Sequence, residues 1–290
     1  MDIKKIFVAG CGTMGNGIAQ ACAQCGYDVA MYDISSDGLK RALDTILKSV
    51  GRLVEKAKIK GTVEDIMSRI QLTEAVDAAA DADLIIEAVY ERIEVKNELF
   101  GKLNAVTRDD AIVASNTSGL TISQMAAATK HPENFLGLHF FNPVPLMKAV
   151  EVVKGVSTSE KTFQFGKAFV ESIDKEPILV TRDIAGFVLN RINMLTNMEA
   201  MRLVENNVAS PEDIDKGARL AFGRKMGPLE TSDLVGLDVQ LMAYTNVYEE
   251  EKDLRFYPPS ILRRKVAAGH LGKKTGKGWY EYNPDGSRKQ

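Results

Sequence analysis

Residues 5–19 read Lys-Ile-Phe-Val-Ala-Gly-Cys-Gly-Thr-Met-Gly-Asn-Gly-Ile-Ala, and this segment constrains the architecture more than any other. An apolar run leads directly into the spacing Gly10-x-Gly12-x-x-Gly15, after which a helical pattern begins. Gly10 permits a tight turn, Gly12 lets the backbone approach a pyrophosphate, and Gly15 lets the helix pack close to the strand. The free N–H groups of the helix N-terminus favour phosphate. The segment predicts a dinucleotide site rather than a glycine-rich turn that binds nothing, and the candidate contacts are Gly10, Gly12, Thr13, Met14 and Gly15.

Asp33 is the next informative residue, because it closes the second apolar run, residues 29–32. It follows the glycines at about the 20-residue interval that is typical of dinucleotide-binding folds. A carboxylate at this place accepts hydrogen bonds from both ribose hydroxyls of an adenosine and repels a 2′-phosphate. Asp33 therefore favours NAD over NADP, and the alternative is a turn residue at the end of a strand.

The composition is that of a globular protein with one large domain or two ordinary ones: 290 residues, 45% hydrophobic and 26% charged, with a net charge of −2. This charge does not favour nucleic acid as a partner. No apolar run approaches the ~18 residues of a membrane helix, and the first strand starts too early for a signal peptide. Cys11, Cys22 and Cys25 have no metal-ligand partners nearby and are typical of reduced thiols. We expect a cytoplasmic protein without a metal site.

Strands and helical patterns alternate in the first half of the chain, with candidate strands at 6–9, 29–32, 84–89 and 111–115. This alternation predicts an α/β fold, a Rossmann-type doubly wound and mostly parallel sheet. Apolar strands at 135–140 and 149–153 and a strand near 177–180 follow. Beyond Asp183 the pattern is helical until the last few residues. We therefore expect an NAD-binding domain over 1–184 and a smaller, all-helical C-terminal domain over 185–290.

Two polar residues interrupt these apolar strands, His139 in the first and Glu151 in the second. If the strands pair antiparallel around the loop centred on Pro145, the two positions are equidistant from the turn and face each other. A carboxylate at one ring nitrogen would fix the tautomer and leave the other nitrogen free to take a proton. Alcohol oxidation by hydride transfer requires such a base. The alternative is a structural His–Glu pair in the core.

A basic stripe is predicted on the long helix that follows Asp33, where Lys48, Arg52 and Lys56 recur every four residues and share one face. Such a stripe suits a polyphosphate ligand such as coenzyme A. A solvated helix face is the alternative.

The segment Gly-Leu-His-Phe-Phe-Asn-Pro-Val-Pro (137–145), followed by Val-Glu-Val, resembles the signature of the L-3-hydroxyacyl-CoA dehydrogenases. The resemblance runs nearly the full length and includes Ala-Ser-Asn-Thr-Ser-Gly (114–119), Gly-Phe-Val-Leu-Asn-Arg (186–191), Met-Gly-Pro (226–228) and Gly-Lys-Lys-Thr-Gly-Lys-Gly-Trp-Tyr (272–280). It implies an NAD-dependent oxidoreductase of fatty-acid or butyrate metabolism that interconverts (S)-3-hydroxybutyryl-CoA and acetoacetyl-CoA. It also implies a homodimer formed through the C-terminal domain.

The same resemblance implies catalytic roles. His139 would be the general base or acid and Glu151 its orienting partner, while Ser118 and Asn190 would hydrogen-bond the reacting oxygen and the acyl group. The alternatives are that Asn116 and Ser118 cap a helix beginning near Thr121, and that Asn190 serves only the start of its own helix.

Binding roles follow from the resemblance too. The implied cofactor contacts are Glu91, Lys96, Asn116, Ser118, Asn142 and Lys274. The CoA contacts are Ser49 and Lys56, joined by Arg52 from the basic stripe. Without the resemblance, Glu91 and Lys96 would be assigned to a solvated helix start. Two other functions remain open from the sequence: a dehydrogenase of the same fold acting on a free 3-hydroxy acid or sugar acid, and a non-catalytic dinucleotide-binding protein.

Overall fold

A computed structural model describes residues 3–289, which form two compact units that meet in sequence between Phe187 and Val188. The first unit is built on an eight-stranded sheet: β1 (Lys5–Ala9), β2 (Asp28–Tyr32), β3 (Ile70–Thr73), β4 (Leu84–Glu87), β5 (Ile112–Ser115), β6 (Phe135–Phe140), β7 (Ala149–Val153) and β8 (Glu176–Val180). The strand order is β3-β2-β1-β4-β5-β6-β7-β8. The predicted α/β class is confirmed, whereas the predicted boundary at residue 184 stays a prediction.

All neighbouring strands of this sheet are parallel except β6 and β7, which are antiparallel. The helices of this unit are α1 (Thr13–Gln24), α2 (Ser36–Glu55), α3 (Val63–Met67), α4 (Ile93–Val106), α5 (Ile122–Ala126) and α6 (Glu160–Ser172). β1 is buried from Ile6 to Ala9, because a parallel sheet covered by helices has no solvated face. The edge strand β3 was not predicted.

Polar residues enter this core mainly where strands end. Glu87 and Ser115 are the last residues of β4 and β5, and His139 lies one residue before the end of β6; all three are buried. In doubly wound sheets, ligands bind outside the carboxyl ends of the strands. The buried polar residues therefore mark this edge as the functional one.

The second unit contains α7 (Leu189–Glu205), α8 (Pro211–Phe222), α9 (Pro228–Val235), α10 (Leu237–Glu251) and α11 (Ser260–Ala267), followed by a segment with isolated β-bridges. Two buried carboxylates tie that segment down. Asp233 accepts hydrogen bonds from the Trp279 and Tyr280 N–H groups at 2.8 and 2.9 Å, and Asp215 accepts one from the Tyr280 hydroxyl at 2.8 Å. A Cβ on Gly278 would lie 2.0 Å from Oδ1 of Asp233, so the Gly-Lys-Gly-Trp-Tyr motif serves this packing.

Among residues 3–289, none of the helices combines the length and apolar character that crossing a bilayer requires. The same residues contain no cluster of three or more His, Cys, Asp and Glu side chains placed to hold a metal ion. Cys11, Cys22 and Cys25 are free thiols.

Candidate active site

The glycine turn between β1 and α1 has the geometry that its spacing predicts. Gly10 has φ +103°, and a Cβ there would lie 2.5 Å from the Ala88 carbonyl oxygen. A Cβ on Gly15 would lie 1.8 Å from the Gly10 carbonyl oxygen, so the helix can approach the turn only with glycine at this position. At Gly12 a Cβ would meet no atom within 4 Å. Gly12 therefore presents its open side to a ligand, as close backbone approach of a pyrophosphate requires.

A cavity of about 810 Å³ lies along this turn and is lined by Gly10, Gly12, Thr13, Met14 and Asp33, among others. Ile34 and Tyr90 also line it and stay 83% and 79% exposed. Large apolar side chains left open beside a phosphate-binding turn fit the flat base of a nucleotide. The size and the lining of this cavity fit the adenosine and pyrophosphate of a dinucleotide.

Asp33 is fixed at the cavity wall by two backbone hydrogen bonds. Its Oδ2 accepts from the Cys11 N–H at 2.9 Å and its Oδ1 from the Ser35 N–H at 3.0 Å. Burial, with the hydrogen bond and charge of Asp33, raises the pKa of the Cys11 thiol to about 11. Cys11 is therefore protonated at neutral pH, and its thiol adds no negative charge beside the Asp33 carboxylate.

His139 and Glu151 face each other across the antiparallel β6–β7 pair, in which they are register partners. Nδ1 of His139 lies 2.6 Å from Oε2 of Glu151, and the two residues are 5% and 0% exposed. Because a carboxylate can only accept, it holds the imidazole proton on Nδ1 and leaves Nε2 without one. The pair can thus take a proton at Nε2 and stabilise the imidazolium that results.

Aromatic rings enclose this imidazole. The ring centroids of Phe141 and Phe187 lie 4.5 and 5.6 Å from that of His139. Phe187 is 1% exposed and has φ +46°, a left-handed conformation that costs a residue with a Cβ about 1 kcal/mol or more. Burial of its ring against the imidazole offsets that cost.

A second buried charge pair lies at the ends of β4 and α4. Nζ of Lys96 is 2.6 Å from Oε1 of Glu87 and 3.1 Å from Oε2 of Glu91. Lys96 and Glu87 are 1% and 0% exposed, and the second oxygen of Glu87 accepts from the Ser115 hydroxyl at 2.5 Å. The alternative that placed Lys96 at a solvated helix start is wrong, because its ammonium is buried next to the Glu87 carboxylate.

Glu91 connects this pair to the segment that contains Ser118. Its Oε1 accepts from the Ser118 and Gly119 N–H groups at 2.9 and 3.1 Å and from the Thr117 hydroxyl. Burial alone would raise the pKa of Glu91, but the Lys96 charge and these hydrogen bonds outweigh it and hold the pKa below its usual value. An ionised Glu91 therefore fixes the backbone around Ser118, whose side chain is exposed.

The helix-capping alternative for Asn116 and Ser118 does not hold. The N-cap of α5 is Thr121, and no side chain makes a capping hydrogen bond there. Oδ1 of Asn116 instead accepts from the Phe140 N–H at 2.9 Å. Asn116 thereby ties the end of β5 to the residue after His139.

The other predicted site residues lie after β6, on or next to α2, and in the second unit. Asn142 lies two residues after the end of β6 and is exposed; in the second unit, Asn190 lies in the first turn of α7, and Lys274 is paired with Asp238 at 2.6 Å. On α2, Ser49 is half-buried, whereas Lys48, Arg52 and Lys56 are exposed. No carboxylate lies within 4.0 Å of these three cations in the described part of the chain, so their charges are available to an anion.

Comparison with known proteins gives this arrangement a family. Residues 5–184 match the NAD binding domain of 3-hydroxyacyl-CoA dehydrogenase, and residues 186–282 match the C-terminal domain of the same family. The chain belongs to the 3-hydroxyacyl-CoA dehydrogenase family. The family resemblance carried by motifs 114–119 and 137–145 is confirmed.

Members of this family match the chain over almost all of its length. A 3-hydroxybutyryl-CoA dehydrogenase of Bradyrhizobium diazoefficiens is 41% identical over 97% of this chain and 96% of its own. A 3-hydroxyadipyl-CoA dehydrogenase of Escherichia coli K12 is 38% identical, and the match covers 98% of this chain and 60% of that protein. The crystal structure of (S)-3-hydroxybutyryl-CoA dehydrogenase from Ralstonia eutropha superposes with a TM-score of 0.94 at 38% identity, over 97% of this chain and 100% of that one.

Sequence reasoning missed three residues of this dehydrogenase site: Glu87, Thr117 and Phe187. A carboxylate that closes the apolar strand β4 was a visible signal for Glu87, of the same kind as Asp33 after β2. The glycine before Phe187 hinted at an unusual backbone there. Thr117 left no signal beyond its place in the segment 114–119.

Proposed function

We propose that this chain is an NAD-dependent oxidoreductase that interconverts (S)-3-hydroxybutyryl-CoA and acetoacetyl-CoA. The single observation that carries the proposal is the buried His139–Glu151 pair, 2.6 Å apart and enclosed by aromatic rings at the functional edge of the sheet. A non-catalytic dinucleotide-binding protein has no use for an imidazole whose second nitrogen is kept free for a proton. The relatives named 3-hydroxybutyryl-CoA dehydrogenase support the four-carbon acyl-CoA.

The residues of the chain would divide the work as follows. NAD, when bound, supplies the acceptor for the hydride that leaves C3. Nε2 of His139 takes the proton of the 3-hydroxyl in oxidation and returns it in reduction, and Glu151 stabilises the imidazolium between these events. We propose that Ser118, whose backbone N–H donates to Glu91, donates a hydrogen bond to the reacting oxygen. Asn190 is proposed as a contact of the acyl group.

The cofactor residues divide between the two halves of the dinucleotide. Gly10, Gly12, Thr13, Met14 and Gly15 would hold the pyrophosphate, and Asp33 the adenosine ribose. The nicotinamide half would meet Glu91, Lys96, Asn116, Ser118, Asn142 and Lys274. The phosphates of CoA would meet Ser49, Arg52 and Lys56 at the end of α2. The basic side chains there have no carboxylate within 4.0 Å among residues 3–289, which supports a polyphosphate partner.

The decisive experiment compares NADH oxidation with acetoacetyl-CoA and with free acetoacetate. We expect turnover of the thioester. The kcat/KM for the free acid should be lower by at least about 10²-fold, since binding energy of the remote CoA group would be lost. Equal activity on the free acid would instead identify a free hydroxy-acid dehydrogenase, and no turnover of either would leave a non-catalytic protein. A series of longer 3-ketoacyl-CoA substrates then defines the acyl preference.

The α2 stripe is tested in the same assay with a Lys48→Glu, Arg52→Glu, Lys56→Glu variant. Reversing three charges should raise the KM for acetoacetyl-CoA about tenfold and leave the KM for NADH unchanged. A matched control reverses three exposed basic residues outside α2, at Lys161, Lys216 and Arg264. Acyl-CoA kinetics that stay at parental values in the α2 variant would refute the CoA contact.

We also propose a homodimer formed through the second unit. Four of its helices leave large apolar side chains exposed: Ile192 at 59%, Leu220 at 78%, Phe222 at 79%, Leu234 at 55% and Met242 at 60%. Exposure of this kind marks association surfaces. Light scattering should give twice the 31.8 kDa of one chain, and Leu220→Asp with Phe222→Asp should give monomers. A parent protein with the mass of one chain at micromolar concentration contradicts the dimer.

The three free thiols support a cytoplasmic location.

A further inference from the structure

Lys175 is a buried lysine that the proposed chemistry does not use. It is 7% exposed, and its Nζ donates to the carbonyl oxygens of Val144 and Met147, both at 2.7 Å. Within residues 3–289 no carboxylate lies within 4.0 Å of this ammonium. Burial lowers the pKa of Lys175, and the charge of Lys148 adds to that effect. Because a buried ammonium is costly without partners, the two carbonyls carry its stabilisation.

Both carbonyls belong to the β6–β7 loop, residues 141–148, which joins the strand of His139 to the strand of Glu151 and contains Asn142. The internal hydrogen bonds of the loop are few: the N–H groups of Leu146 and Met147 both donate to the Pro143 carbonyl at 3.0 Å. Its other side-chain tie, from Lys148 to Asp174, is exposed and contributes little. The position of the loop therefore depends on contacts from outside it.

The loop also packs against the dinucleotide helix α1. A Cβ on Gly17 of α1 would lie 2.9 Å from Cβ and 3.1 Å from Cγ2 of Val144, so Val144 packs against the bare backbone of α1. Val144 is 2% exposed. One residue of the loop is thus held from two directions, by its side chain against α1 and by its carbonyl on Lys175.

We propose that Lys175 is a positioning residue, which together with Gly17 clamps the β6–β7 loop so that His139 and Asn142 keep register with the cofactor on α1. The proposal rests on the function proposed above. Lys175 contacts neither substrate nor cofactor and acts through Val144 and Met147. Since a reacting group displaced by about 1 Å loses about 10² in rate, a loosened loop should reveal itself in turnover.

The test begins with Lys175→Met, which removes the ammonium and keeps most of the volume. We expect kcat with acetoacetyl-CoA to fall about 10- to 100-fold and the NADH dissociation constant to rise about tenfold, with the KM for acetoacetyl-CoA unchanged. Lys175→Arg, which keeps the charge and the donors, should recover most of the loss. Lys148→Met is the matched control on the same loop and should stay within about twofold of the parent.

Gly17→Ala loosens the same loop from the other side and serves if Lys175→Met does not fold. It should show the same split, and the double variant should lose less than the product of the two single effects, because both act on Val144. Gly101→Ala on α4, where a Cβ meets nothing within 4 Å, is its control.

Parental kcat and NADH affinity in folded Lys175→Met and Gly17→Ala, with only thermal stability changed, would overturn the positioning role. NADH affinity is read from fluorescence without substrate. A parent protein that binds NADH but reduces no acetoacetyl-CoA would therefore sink the proposed function, while the effect of Lys175→Met on NADH affinity would still decide the clamp.

Discussion

Replacing His139 with glutamine should lower kcat for acetoacetyl-CoA reduction by about 10³-fold, within the range of 10²–10⁴ that a positioned acid–base group contributes. The amide of glutamine can still donate to Glu151, so the buried carboxylate keeps a partner and the fold is preserved. What glutamine cannot do is exchange a proton with the hydroxyl at C3. The measurement is steady-state NADH oxidation, with NADH affinity determined separately by fluorescence and expected to stay near the parental value.

His131→Gln is the natural control, because His131 lies in a turn beside Glu133 with a side chain that is 34% exposed. It should leave kcat unchanged. If His139→Gln kept kcat within about fivefold of the parent, proton transfer would have to occur at another group. The His139–Glu151 pair would then be a structural pair in the core, which is the alternative given in the sequence analysis.

Much of the fold follows from short-range patterns in the sequence. The glycine spacing at 10, 12 and 15 requires a strand before it and a helix after it, and both are present. The opposition of His139 and Glu151 follows from counting residues outward from Pro145, since an antiparallel pair preserves that symmetry. Strand β3 was not predicted because Ile70-Gln-Leu-Thr73 is short, half polar and at the sheet edge, where apolar patterning is weak.

The charged network of the site could not be derived in this way. Helical spacing places Lys96 in the first turn of α4, but whether that turn points to solvent depends on how α4 crosses the sheet. The Glu87 carboxylate at the end of β4 allows the turn to be buried, since it provides an ion-pair partner for the Lys96 ammonium. The left-handed conformation of Phe187 could not be derived from the sequence either, because it is set by what surrounds the ring and not by its neighbours in sequence.

Lys96→Met should destabilise the protein by about 3–5 kcal/mol, the cost of leaving one partner of a buried ion pair uncompensated. Glu87 is 0% exposed, and without the ammonium its charge keeps only the Ser115 hydroxyl and the Val89 N–H among its described hydrogen bonds. The measurement is urea unfolding at neutral pH, followed by circular dichroism. Lys102→Met, on the same helix, is the matched control: its pair with Glu98 is exposed, so its removal should leave the urea midpoint close to that of the parent.

The double variant Glu87→Gln, Lys96→Met separates the cost of an orphaned charge from the loss of packing. With both charges removed, the larger part of the lost stability should return, because a neutral amide needs no counter-ion. A double variant as unstable as Lys96→Met alone would show that the aliphatic chain of Lys96 matters more than its charge. NADH affinity of the double variant should be lower than that of the parent, since Glu91 would have lost the ammonium that pairs with it next to Ser118.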